Sequence, residues 1–138
     1  MNTPTEDTLA FVTMLERNQH AKAVATALKT DNELAHFSTY AVLPGQTYDK
    51  VTEVTRMVNV ASDGSTSDIP NWNNRGMSVH AFVKRATGDL IKAASWKAPQ
   101  KSLTHPSGLA VRFNLSTPAG MAEALTAANA TTGYLYAN

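Results

Sequence analysis

The residues best suited to chemistry lie between Val79 and Lys101, where basic side chains surround a tryptophan. This segment holds five of the twelve lysines and arginines and one acid, Asp89. Positive charge binds phosphate oxygens, and the flat face of a tryptophan can stack on a base. We therefore expect this region to bind nucleic acid or a nucleotide-like anion. The candidate binding residues, two of which lie outside the segment, are Lys84, Arg85, Lys92, Trp96, Lys97, Lys101, Arg112 and Trp72.

A structural role would explain some of the same residues. Trp96 follows a predicted strand, so it could anchor the hairpin in the core while lysine side chains lie across it. Trp72 sits in a polar loop, where a tryptophan is either packed on the core or offered to a partner. We favour the packing role for Trp96 and the anion-binding role for the lysines.

The formal charge is unevenly distributed along the chain. Residues 1–70 contain nine acids and five bases, whereas residues 71–138 contain two acids and seven bases. Such an uneven distribution is typical of a surface that meets an anion or an acidic partner. A solvated basic surface without a partner would give the same pattern, and that alternative stays open.

Motifs for catalysis or metal binding are missing from the sequence. The chain has no cysteine, its four histidines lack metal-ligand spacing, and neither a G-x-S-x-G nor a glycine-rich phosphate loop occurs. We therefore expect a non-enzymatic protein with no catalytic residues, metal or cofactor. No apolar run is long enough to span a membrane, and the first ten residues do not resemble a signal peptide.

Apolar periodicity predicts helices near both ends of the chain. In the first part, Thr3 and Pro4 are typical of a helix start, and the spacing predicts helices over residues 4–17 and 20–30, which could also form one continuous helix. A second start signal at Thr117 and Pro118 precedes an apolar stripe that contains Leu125. We expect N-terminal helices and one C-terminal helix.

The central part of the chain reads as short strands separated by turns. In residues 78–86 the pattern alternates, with Val79, Ala81 and Val83 predicted on one face and His80, Phe82 and Lys84 on the other. Gly88 then marks a hairpin turn, and residues 61–76 read as a long polar loop. We predict an α+β fold with a mainly antiparallel sheet built on residues 37–60, 78–94, 110–116 and 133–137. Residues 1–36 would be a helical arm or extension, and residues 37–138 the sheet domain.

Residues 78–101 carry the pattern S-V-x-A-F-V-x-x-x-T-G-D-x-x-K-A-A-S-W-K-A-P-x-K, after a P-G-x-x-Y at residues 44–48. With Arg112, Asn114 and a closing G-Y-L-Y, this resembles small, largely uncharacterised proteins of tailed bacteriophages and other DNA viruses. The resemblance covers roughly the last two-thirds of the chain and implies a viral origin but no reaction. Residues 1–36 look like an addition, and residues 102–110 separate Lys101 from Arg112 more widely than in that pattern.

Three functions are compatible with these observations. The first is a viral protein that binds nucleic acid or a nucleotide-like anion through the basic, tryptophan-containing hairpin. The second is a virion structural or assembly protein, a homo-oligomer held together by the N-terminal helices. The third, weaker option is a sponge that captures a host signalling nucleotide. Each would act in the host cytoplasm or in the virion, and none needs a membrane.

Overall fold

Two helices lie on one side of a six-stranded antiparallel sheet in the computed structural model, which describes residues 2–69, 75–130 and 134–135. The strand order is β1-β2-β4-β5-β6, and β3 pairs with the end of β2. This arrangement confirms the predicted α+β class and the mainly antiparallel sheet. The elements are α1 (Glu6–Lys29), β1 (Leu34–Pro44), β2 (Tyr48–Val60), β3 (Thr66–Asp68), β4 (Arg75–Lys84), β5 (Asp89–Lys92), β6 (Val111–Asn114) and α2 (Pro118–Ala130).

The N-terminal region forms one continuous helix, so the prediction of N-terminal helices in the plural is wrong. The predicted helix start at Thr3 and Pro4 is also wrong, because α1 begins at Glu6 and Thr5 is its N-cap. The Thr5 hydroxyl accepts a hydrogen bond from the Thr8 amide at 3.3 Å, and the Thr5 amide donates to the buried Asp49 carboxylate at 2.9 Å. Asp49 lies on β2, so a contact distant in sequence selects the helix start.

The main core lies between the two helices and the sheet. Phe11 and Leu15 of α1 are fully buried there, next to Val51 and Leu90 of the sheet and Leu125 of α2. Burying each such side chain contributes about 1.5–3 kcal/mol to folding. The predicted boundary between residues 36 and 37 falls inside β1, and α1 shares its core with the sheet.

A second side of the sheet carries its own small apolar cluster. In β4, Ala81 and Val83 belong to the main core, so Phe82 between them points to the opposite side. Phe82 packs there with Ile91 and Ala93. We call the surface under the helices the helix side, and the surface around Phe82 the far side.

A β-bulge at His80 breaks the alternation that the sequence predicts for β4. Val51 pairs with Ala81 and the next residue of β2, Thr52, pairs with Val79, so His80 is an extra residue on β4. Val79 consequently packs in the far-side cluster, whereas His80 is 8% exposed and contacts helix-side residues. The predicted grouping of Val79 with Ala81, and of His80 with Phe82, is therefore wrong, because a bulge turns the residues before it to the other face.

Other local predictions have mixed outcomes. Gly88 has a φ of 79° in the turn between β4 and β5, as the hairpin prediction requires. The polar segment 61–76 contains β3, which was not predicted, and Trp72 lies outside the described residues. Of the strand predicted at 133–137, Tyr134 and Leu135 are described and lie in a turn. Within the described residues, neither helix is long and apolar enough to cross a membrane.

Candidate functional site

A tryptophan and a lysine stack on each other on the far side of the sheet. The Nζ atom of Lys50 lies 4.4 Å from the centroid of the Trp96 ring and 5.8 Å from that of Phe82. Trp96 is 43% exposed, so part of its ring faces solvent. It stands at the tip of a tight turn that the Ala94 amide closes by donating to the Ala98 carbonyl at 3.1 Å. The position of Trp96 therefore combines partial packing with an accessible aromatic surface.

Strand register or sequence adjacency associates three of the predicted lysines with this pair. Lys84 lies opposite Tyr48, a far-side residue, and residues opposite each other in a ladder share a face. Lys101 likewise lies opposite Leu109 of the same cluster. Lys97 follows Trp96 directly and is exposed. Counting only residues that the structure describes, these three ammonium groups have no hydrogen-bond or ion-pair partner. We define the far-side patch as Lys50, Lys84, Trp96, Lys97 and Lys101.

The remaining predicted residues lie elsewhere. Arg85 forms an ion pair with Asp49, which is fully buried beneath the start of α1. Lys92 lies opposite Ala81, so it belongs to the helix side. The Nε atom of Arg112 donates a hydrogen bond to the Leu135 carbonyl at 2.9 Å. The structure thus separates Arg85, Lys92 and Arg112 from the far-side patch.

Two bulges direct side chains towards the same C-terminal residues. Leu90 pairs with Phe113 and Ile91 pairs with Val111, so Arg112 is an extra residue on β6, as His80 is on β4. The Nε2 atom of His80 is 2.6 Å from the Tyr134 hydroxyl oxygen, and Arg112 holds the carbonyl of the next residue, Leu135. The two bulges therefore fix the Tyr134–Leu135 segment to the helix side of the sheet.

The His80 contact continues to a carboxylate. Its Nδ1 atom is 3.3 Å from Oε1 of Glu53, and this hydrogen bond is the main reason that the pKa of Glu53 is lowered. Burial raises the pKa of both Tyr134 and Tyr40, and the Tyr40 ring packs edge-on against His80. Both phenols are therefore neutral at physiological pH. We interpret Glu53, His80 and Tyr134 as a polar chain, buried at His80 and Tyr134 and partly exposed at Glu53, that anchors the C-terminal segment.

Two residues of functional interest were missed at the sequence level. Lys50 lies in the acidic part of the chain, residues 1–70, so the charge comparison between the two parts did not point to it as a binding residue. Its alternation with the far-side residue Tyr48 on β2 was the available signal. His80 gave no signal, because its bulge depends on how β4 pairs with β2. Within the described ranges 2–69, 75–130 and 134–135, no group of three or more potential ligands could hold a metal ion.

Comparison with known proteins gives one match. The model of a family described as "Family of unknown function (DUF7717)" covers residues 2–137, which is nearly the whole chain. Neither a curated protein nor a solved structure matches the chain. Because the match extends through both helices and every strand, α1 lies within the region that the family model covers. The chain therefore belongs to this family of unknown function, DUF7717.

Proposed function

We propose that this protein binds single-stranded nucleic acid, or a nucleotide-like anion, through the far-side patch, without catalysing a reaction. The observation that carries the proposal is the half-exposed ring of Trp96 among lysines that have no acidic partner within the described chain. Exposed ammonium groups attract phosphates, and an aromatic ring beside them gives a base a surface for stacking. A viral origin, which the sequence resemblance implies, is compatible with such a role.

A base can displace Lys50 from the Trp96 ring at little cost. A cation–π contact at an exposed site contributes about 0.5–1 kcal/mol, whereas stacking of a base on an aromatic side chain contributes about 1–3 kcal/mol. The exchange therefore favours stacking, and the released Lys50 ammonium group becomes available to a neighbouring phosphate. In this mechanism Trp96 supplies the stacking surface, and the lysines supply the electrostatic attraction.

The number of lysines sets the expected salt dependence. Each phosphate of a single strand that a lysine neutralises contributes about −0.7 to the slope of log K against log salt concentration. The four lysines of the far-side patch therefore give a slope of at most about −2.8. Replacing one of them, for example Lys97→Gln, should reduce the slope by about 0.7 without changing the fold, because Lys97 is exposed.

The test is fluorescence anisotropy with a labelled single-stranded DNA of mixed sequence, titrated at several salt concentrations. Trp96→Leu should raise Kd by roughly 5- to 150-fold, which corresponds to about 1–3 kcal/mol. The matched control is Lys29→Gln, which removes the same charge at the end of α1 and should leave Kd unchanged. Binding that does not depend on salt, or equal losses for Lys97→Gln and Lys29→Gln, would contradict the proposal.

Assembly through residues 1–36 remains the alternative. It has less support from the packing, because α1 places Phe11 and Leu15 in the core that it shares with the sheet. In an arm that packs on a neighbouring subunit, large apolar side chains such as these would instead lie exposed on the monomer and be buried against that subunit. Light-scattering mass across a range of concentrations distinguishes the two cases, since assembly requires a defined oligomer at low concentration.

A further inference from the structure

A groove separates the middle of α1 from the sheet on the helix side. Its volume is about 550 Å³, within the range typical of small-molecule sites. One wall is formed by α1 and the other by β1, β2 and β3. The residues that line it include none of the far-side patch.

The wall formed by α1 is polar where a helix packed on a sheet is normally apolar. Thr13, Glu16, Arg17 and His20 line the groove and follow the i, i+3, i+4, i+7 spacing of a single helix face. The buried apolar residues of α1 up to Leu15 belong to the main core, and Ala27 belongs to a separate cluster that includes Phe37. The groove therefore occupies the gap between two apolar clusters.

Two arginines can offer positive charge to a ligand in this groove. Arg17 has no ion-pair or hydrogen-bond partner among the residues described. Arg56 pairs with Asp68, but Asp68 is 78% exposed on the three-residue β3, and such surface pairs contribute about 0–1 kcal/mol. The Oε1 atom of Glu16 accepts a hydrogen bond from the Tyr40 amide at 2.9 Å, which orients this carboxylate towards β1 but leaves its negative charge beside the groove. A bound anion could therefore pair directly with the guanidinium group of Arg17, and it could replace Asp68 as the partner of Arg56.

The groove also has an aromatic surface. The His20 and Phe37 rings meet edge to face with centroids 4.8 Å apart, and Phe37 lies directly opposite Arg56 in the β1–β2 ladder. We propose that the groove binds a small organic anion that carries a flat ring. Its acidic group, a phosphate or a carboxylate, lies between Arg17 and Arg56, and its ring lies against His20 and Phe37.

Isothermal titration calorimetry on the full chain tests this proposal with three probes: phenyl phosphate, benzoate and inorganic phosphate. Phenyl phosphate and benzoate should both bind more tightly than inorganic phosphate, because only they carry a ring. Arg17→Gln should raise the Kd for phenyl phosphate by roughly 10- to 100-fold, the loss expected for one charged hydrogen bond. Arg56→Gln should have a similar effect. The Lys29→Gln control and the far-side Trp96→Leu variant should bind as the wild type does.

Chemical-shift mapping keeps the result independent of the variants' stability. Phenyl phosphate should shift the backbone amide signals of residues 13–20 and of Arg56 in a two-dimensional NMR spectrum. The proposal is overturned if no probe binds at millimolar concentration, if inorganic phosphate binds as tightly as phenyl phosphate, or if the shifts cluster around Trp96. Because Trp96→Leu is expected to weaken only the far-side site, this experiment can fail while nucleic-acid binding succeeds, and the reverse.

Discussion

Removing one hydroxyl group tests the anchoring of the C-terminal segment. In Tyr134→Phe the ring still fills its place in the main core, but His80 loses the partner of its Nε2 atom. His80 is 8% exposed, so water replaces that partner poorly. A buried polar group left without a partner costs about 1–3 kcal/mol. We expect the free energy of unfolding to fall by about 2 kcal/mol, at the middle of that range.

The matched control is Tyr48→Phe on the far side. The Tyr48 ring packs edge-on against Phe82, and its hydroxyl makes no hydrogen bond within the described part of the chain. This substitution should therefore change stability by less than about 0.5 kcal/mol. Urea denaturation followed by circular dichroism at neutral pH measures both variants, and an unchanged m-value shows that the difference lies in stability. If Tyr134→Phe is as stable as Tyr48→Phe, the contact between His80 and Tyr134 does not anchor the segment.

Two further predictions concern the charged residues of the helix side. Because the pKa of Glu53 is lowered in the folded protein, the unfolded chain binds more protons than the folded chain as pH falls below the ordinary value of 4.5, and the stability that Glu53 contributes is lost there. Urea midpoints measured from pH 6 to pH 3 should therefore fall less steeply for His80→Leu than for the wild type. Equal slopes would contradict the assignment. Arg85→Gln leaves the buried Asp49 carboxylate without its cation, so the free energy of unfolding measured by urea denaturation should fall by about 3 kcal/mol. The Kd of the folded variant for DNA should stay within about twofold of the wild-type value, unlike that of Lys97→Gln.

Local signals in the sequence were sufficient for much of the fold. The hairpin at Gly88 followed from turn chemistry, and the stripe containing Leu125 correctly indicated α2. These features depend on residues close together in the chain, so a single sequence contains the necessary information. The helix start was mispredicted because Asp49, 44 residues beyond Thr5, decides which threonine caps α1.

The bulges could not be predicted for the same reason. A bulge is a mismatch between two paired strands, and Val79–Val83 read alone is a regular alternation. His80 on β4 and Arg112 on β6 are each the extra residue of a bulge, and each contacts the C-terminal segment. Consequently Arg112, which charge alone placed in the binding set, lies on the helix side. The candidate site was predicted in part, since four of its five members, all except Lys50, were among the predicted binding residues.

The contrast between the two sides of the sheet is the strongest argument for function. On the helix side, Arg85 and Arg112 are each held by a specific acceptor, so those charges contribute to folding. On the far side, Lys84, Lys97 and Lys101 have no such acceptor within the described chain, and they stabilise the fold little. These lysines and the accessible ring of Trp96 are the basis of the binding that we propose. The variants Lys97→Gln and Arg85→Gln separate these two roles, because only the first should weaken DNA binding and only the second should weaken the fold.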